Sequence, residues 1–133
     1  MNPLHPAISL RAGKRCEYCH APESVSNFFF EVEHILPESA GGTSDADNLA
    51  LACRACNAYK GARQSAIDPA TNRRVSLFHP RRDRWSDHFS VDLQTDVIVG
   101  LTEIGRATVI ALQMNHPVQV EARPFWKRLL LFP

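Results

Sequence analysis

The sequence has little net charge, few aromatics and no cysteine outside two Cys-x-x-Cys pairs. No apolar run is long enough to span a bilayer, and the amino terminus, MNPLHPAISLRAGK, lacks the apolar stretch of a secretory leader. A cytoplasmic protein without membrane attachment is the expectation. At 133 residues the chain has room for one core of ordinary size and not for two independent ones, so residues 1–133 are expected to form a single domain. The four cysteines, Cys16, Cys19, Cys53 and Cys56, leave no odd thiol over. In a reducing compartment two such pairs favour a metal over disulfides.

The formal charge of +1 conceals an uneven distribution. Between Arg54 and Arg84 there are eight Lys/Arg and two acids, whereas between Glu31 and Asp47 there are five acids and no Lys or Arg. A basic stretch can bind phosphates and an acidic one can hold a cation, although charge clusters also occur as ordinary solvated faces.

Arg15-Cys16-Glu17-Tyr18-Cys19-His20 reads as a zinc knuckle, and Cys53-Arg54-Ala55-Cys56 as its partner at the start of a helix, where the positive end of the helix dipole favours thiolates. Four thiolates fill a tetrahedral shell, so the Zn²⁺ is expected to be structural, with His20 a neighbour and not a ligand. The 33 residues between the pairs are where an inserted hairpin would have to fit. Residues 1–15 read as a loosely attached lead-in.

Phe28 to Ile35 is rich in aromatic and β-branched residues and ends before Leu36-Pro37, which predicts a strand. Alternation puts Phe28, Phe30, Val32 and His34 on one face and Phe29, Glu31 and Glu33 on the other. Gly41 to Asp47 forms a turn-rich loop, Asn48 to Ala52 returns as a second strand, and a helix is expected from Arg54 to about Gly61 with Asn57 and Lys60 on one face. Asn48 is placed to hydrogen-bond the loop backbone. Together these residues offer an imidazole, a flanking carboxylate, a side-chain amide for a hard cation and a lysine for a phosphate, which are the parts of a metal-assisted phosphodiester hydrolase. Taken singly, His34 reads better as a hydrogen-bonded histidine closing a core strand, and Lys60 equally as a solvated lysine.

The stretch EVEHILPESAGGTSDADNLALACRACNAYKG, with the first cysteine pair before it, resembles the core of the HNH nuclease family. The resemblance covers Cys16 to Gly61. It implies an α+β protein with a zinc-stabilised ββα-metal core at residues 14–66, and the residues that follow predict a C-terminal strand-plus-helices extension at 75–133 packed on it. By this likeness His34 is the general base, Glu33 and Asn57 hold a catalytic divalent cation, Asn48 supports the loop, and the substrate is DNA. The residue before the base is often aspartate and the last motif position often histidine. Here they are Glu33 and Asn57, and the harder amide oxygen suits Mg²⁺ or Mn²⁺ better than Zn²⁺. The alternative is a zinc-stabilised module that binds DNA or protein without hydrolysis.

Beyond the motif, residues 66–72 read as a polar connector. Arg81, Arg82 and Arg84, interleaved with aromatics, would suit a DNA backbone, as would Arg54 and Lys60; Trp85 and Phe89 are expected to be core anchors. Val97 to Leu101 predicts a strand, Thr102 the N-cap of a helix through Met114, and Pro117 the start of a last helix toward Leu130 with a kink at Pro124.

Overall fold

The computed structural model describes all of residues 1–133. The lead-in is not loose. Helix α1 (His5–Arg11) has Pro6 in its first turn, where a missing N–H is tolerated, and buries His5, Ile8 and Ser9. Glu23 fastens it through His5 Nε2 at 2.6 Å and the Ser9 hydroxyl at 2.5 Å, and also accepts the Phe30 N–H. At the other end of α1, Arg11 donates to the carbonyls of Ala46 and Leu49. The contacts to Glu23 join residues 14 and 18 positions apart, which sequence periodicity in a seven-residue helix could not display.

Strands β1 (Glu31–His34) and β2 (Leu49–Ala52) form an antiparallel pair in which Glu33 faces Ala50 and His34 faces Leu49. β1 is shorter than expected, because Phe28 and Phe29 lie before it and are 54% and 64% exposed. β2 is buried throughout, consistent with its unbroken Leu-Ala-Leu-Ala run. Helix α2 (Arg54–Lys60) follows at once, capped by the Cys53 sulfur, which accepts the Cys56 N–H. Hairpin plus helix is the ββα unit.

The stretch expected as a connector is a second hairpin. Strands β3 (Ser65–Ile67) and β4 (Arg74–Ser76) pair antiparallel, and the turn between them is organised by Asp68. Its carboxylate takes two bonds of 2.9 Å from Arg106 and accepts from the Thr71 hydroxyl and the Ala70 N–H. The Arg106 guanidinium holds this carboxyl well below the usual range.

A one-turn helix, α3 (Trp85–His88), leads into a third antiparallel pair, β5 (Phe89–Asp92) and β6 (Val97–Gly100). Phe89 therefore begins a strand and does not share a helix with Trp85, yet it is buried, 1% exposed. Helix α4 (Glu103–Ala111) starts at Thr102, whose hydroxyl accepts the Gly105 N–H at 3.0 Å. Gly105 has no room for a side chain, since a Cβ would lie 2.0 Å from the His88 carbonyl. Helix α5 (Pro117–Arg128) begins at His116 and Pro117 as the sequence suggests and carries Pro124 inside it. Fully buried Arg123 ties α5 to the carbonyls of Asp96 and Met114 and to Asn115.

The chain is thus an α+β protein of three short antiparallel strand pairs and five helices. One cluster of 20 buried apolar residues runs from Ile8 through the cysteines to Met114. Trp85 joins the later elements to the knuckle by donating its indole N–H to the Tyr18 carbonyl at 2.7 Å, and Phe78 packs edge-on against the Tyr18 ring. No helix is long and apolar enough to cross a membrane.

Candidate active site and metal centre

The knuckle is shaped by its own backbone: the Cys16 N–H reaches the Ala21 carbonyl, and the His20 N–H reaches the Cys16 carbonyl with His20 at φ +65°. It is held to β2 twice over, by the Glu17 N–H to the Leu51 carbonyl and by the Glu17 carboxylate to the Leu51 N–H, each 2.8 Å. This brings the sulfurs of Cys16, Cys19, Cys53 and Cys56 within 4.8 Å of one another, all buried and none in a disulfide. Zinc at about 2.3 Å from each of four tetrahedral thiolates requires sulfurs about 3.8 Å apart. Cys19 and Cys53 lie 3.7 Å apart. The donor set fits a structural zinc.

Thiol hydrogen bonds from Cys16 and Cys19 push the Cys53 thiol down, whereas the same crowding pushes Cys19 and Cys56 up. One thiolate is thus favoured where the helix begins, and a cation is what would allow Cys19 and Cys56 to ionise. His20 takes no part. Its ring stacks on Trp85 with centroids 3.9 Å apart, and burial lowers its pKa to about 4, so it is neutral near pH 7.

The loop from β1 to β2 is closed by Asn48. Its side chain accepts from the Leu36 N–H and donates to the carbonyls of Leu36 and Thr43, at 2.9, 3.1 and 2.7 Å. Gly42 lets the loop fold back this tightly, because a Cβ there would lie 1.8 Å from the Leu36 carbonyl oxygen. The loop presents Ser44 to His34, whose Nε2 lies 3.0 Å from the Ser44 hydroxyl. Nδ1 lies 3.8 Å from a Glu38 carboxylate oxygen, and the histidine side chain remains 21% exposed. His34 is therefore oriented on one nitrogen and open on the other.

Glu33 points the other way, into the protein. It is 5% exposed, and both carboxylate oxygens are engaged. One accepts the Tyr18 hydroxyl at 2.7 Å, and the other accepts the Lys60 ammonium at 2.5 Å. Lys60 also donates to the Ile35 carbonyl at 2.9 Å and is 2% exposed. Burial raises the Glu33 carboxyl above its ordinary range, with Lys60 and Tyr18 opposing that rise. Lys60 is consequently neither solvated nor presented to a phosphate. Asn57, half-buried one helical turn before Lys60, makes no side-chain hydrogen bond. The structure therefore brings Glu33, Lys60 and Tyr18 together, keeps His34 on the loop side of the same strand, and leaves the Asn57 amide unengaged.

The basic residues divide in a way their spacing does not reveal. Arg81 is drawn into a close ion pair with Glu17, both largely buried, and so is not free for a backbone phosphate. Arg82 and Arg84 are exposed, and Arg54 is exposed with its guanidinium 4.4 Å above the Phe28 ring. A cleft of about 400 Å³ lies between the motif and the later elements, bordered by Asn48, Lys60, Arg63, His79 and Arg82 among others. Tyr18 and Glu17 were the functional surroundings the sequence did not flag; their place between two ligand cysteines was the available signal.

Residues 16–63 match the family model described as HNH endonuclease. Over 112 residues the chain is 27% identical to Septu protein PtuB of Bacillus thuringiensis, an alignment covering 83% of this chain and 40% of that protein. The chain thus spans well under half the length of that curated relative. No solved structure matches it significantly. The matched segment coincides with the knuckle, hairpin and capped helix described above, so residues 16–63 resemble the HNH family over the part of the chain that holds the four-cysteine cluster fit for zinc.

Proposed function

We propose that this HNH segment hydrolyses phosphodiester bonds in DNA, with His34 as the general base. The observation that carries the reading is the ring of His34: Nε2 is held by the Ser44 hydroxyl while Nδ1 makes no hydrogen bond, and the side chain is 21% exposed. With its Nε2 proton donated to Ser44, Nδ1 can take the proton of an attacking water, and Glu38 at 3.8 Å would steady the imidazolium that results. Asn48 keeps that geometry by fixing the loop that carries Ser44. Exposed Arg54, Arg82 and Arg84 would track the DNA backbone.

The oxygens of Glu33 and Asn57, a hard donor pair suited to Mg²⁺ or Mn²⁺, would hold a divalent cation, which would supply Lewis-acid chemistry to phosphodiester hydrolysis. The donor chemistry fits: Asn57 is unengaged, and Glu33 already holds a positive group in Lys60. That same buried pair favours a second reading, in which Glu33 is purely structural and the segment binds nucleic acid without cutting it.

Plasmid cleavage in Mg²⁺ or Mn²⁺ separates the two. His34→Ala should lower the rate by about 10²-fold or more while zinc content and DNA binding persist. A His34→Ala protein that cuts as well as the parent would leave the binding module as the better reading.

A further inference from the structure

In the proposed mechanism the Glu33 carboxylate holds the catalytic cation, yet both of its oxygens are satisfied without one. Its partner is not a surface lysine that has folded over by chance: Lys60 closes helix α2, is 2% exposed, and spends a second donor on the Ile35 carbonyl of the strand end next to His34. A buried carboxylate in this position needs a positive charge, and the helix supplies it. From this juxtaposition we infer that Lys60 is the resident counter-ion of Glu33, which a divalent cation must displace to load the site. The inference rests on the reading of Glu33 as a cation ligand.

Two observations make the exchange feasible. The Asn57 amide, one turn back along the same helix, is unengaged and can add a second oxygen to an arriving cation. The displaced ammonium also has an outlet, because Lys60 already borders the cleft lined by Asn48, Arg63, His79 and Arg82, where solvent or a phosphate can receive it. Tyr18 keeps its bond to the other carboxylate oxygen throughout, so the carboxylate stays aimed while its cation changes. Lys60 is thereby a positioning residue that sets how much cation the site requires.

The test uses the zinc-loaded full chain and Mn²⁺ alone, followed by loss of the free-ion electron paramagnetic resonance signal. Zinc in a four-thiolate site is not exchanged by the harder Mn²⁺. Lys60→Met should bind Mn²⁺ more tightly than the parent, on the order of tenfold, because a like charge next to the ligand has been removed. Glu33→Gln should bind least, and adding it to Lys60→Met should erase the gain. Equal affinity in parent and Lys60→Met, with Glu33→Gln still impaired, overturns the competition but leaves Glu33 a ligand. Unimpaired binding by Glu33→Gln overturns both. Should Lys60→Met fail to fold, the parent decides: Mg²⁺ titration followed by NMR should move the Lys60 side-chain ¹⁵N and Glu33 side-chain ¹³C resonances at one midpoint. A Glu33 response with Lys60 unmoved overturns the inference.

Discussion

Replacing Tyr18 by phenylalanine removes one oxygen and almost no volume from the middle of the protein. Tyr18 is fully buried, and its hydroxyl donates to a Glu33 carboxylate that is itself 5% exposed, so no water can take the vacated place. Hydrogen bonds to charged groups are worth about 1.5–3 kcal/mol when the partner is left buried. For 133 residues, an unfolding entropy of about 2.1 cal/mol/K per residue turns a loss of about 2 kcal/mol into a fall in Tm of roughly 7 °C. The sign of the pH dependence follows from the ionised state. Glu33 is raised by burial and held down in part by Tyr18, so the variant raises it further. A carboxyl raised on folding favours the folded state at low pH and loses that contribution as pH rises through its folded pKa. The gap between parent and Tyr18→Phe should therefore be widest near neutral pH and narrow on acidification. Calorimetry of the zinc-loaded proteins at several pH values reads this directly, with zinc content as the control. Equal melting temperatures, or a gap that ignores pH, would refute the claim that Tyr18 supports an ionised Glu33.

Cys53→Ser should lose zinc and unfold the hairpin-helix unit even in excess Mg²⁺, as metal analysis and circular dichroism would record, since thiolate ligation carries folding free energy on the order of 10 kcal/mol. Asn48→Ala removes all three ties across the 36–48 loop and should cut cleavage strongly while zinc content is retained, which a parallel activity and metal assay would establish. Neutralising Arg82 and Arg84 should reduce the slope of log affinity for DNA against log salt by about 2, whereas Arg81→Gln, whose partner is Glu17, should leave that slope unchanged. Asn57→Ala activity should partly recover at high Mn²⁺, and His34→Ala activity should not, because more metal cannot replace a proton acceptor.

What the sequence could express, it expressed through local rules. Cysteine spacing, the Cys53 and Thr102 caps, Pro117 and the apolar β2 run all act within a few residues of themselves, and each marks an element near where it lies. The 65–76 hairpin escaped because its strands are three residues long and its turn depends on Arg106, 38 positions from Asp68. The aromatic run at 28–30 looked like strand by composition, but only Phe30 is buried and pairing begins at Glu31. At the site, alternation separated Glu33 from His34 correctly by face. It could not say that Glu33 would meet Lys60 and Tyr18, which lie 27 and 15 residues away, nor that Arg81 would be neutralised by Glu17 while Arg82 and Arg84 stayed free.

The sulfur cluster also sets a clock. Its four thiols are 0–6% exposed, with the Tyr18 ring and the Trp85 indole bond beside them, so neither a chelator nor a competing ion can approach the ligands stepwise from solvent. Both cysteine pairs must separate first, and the 33 residues between them hold the entire β1–β2 hairpin with His34. Release of the ion is then tied to opening of that hairpin, and its residence time becomes a measure of the protein's unfolding rate, not of the strength of any one zinc–sulfur bond. Isotopic zinc exchange would accordingly slow or quicken with core substitutions at residues other than the cysteines, Phe89 among them, in step with their effect on unfolding.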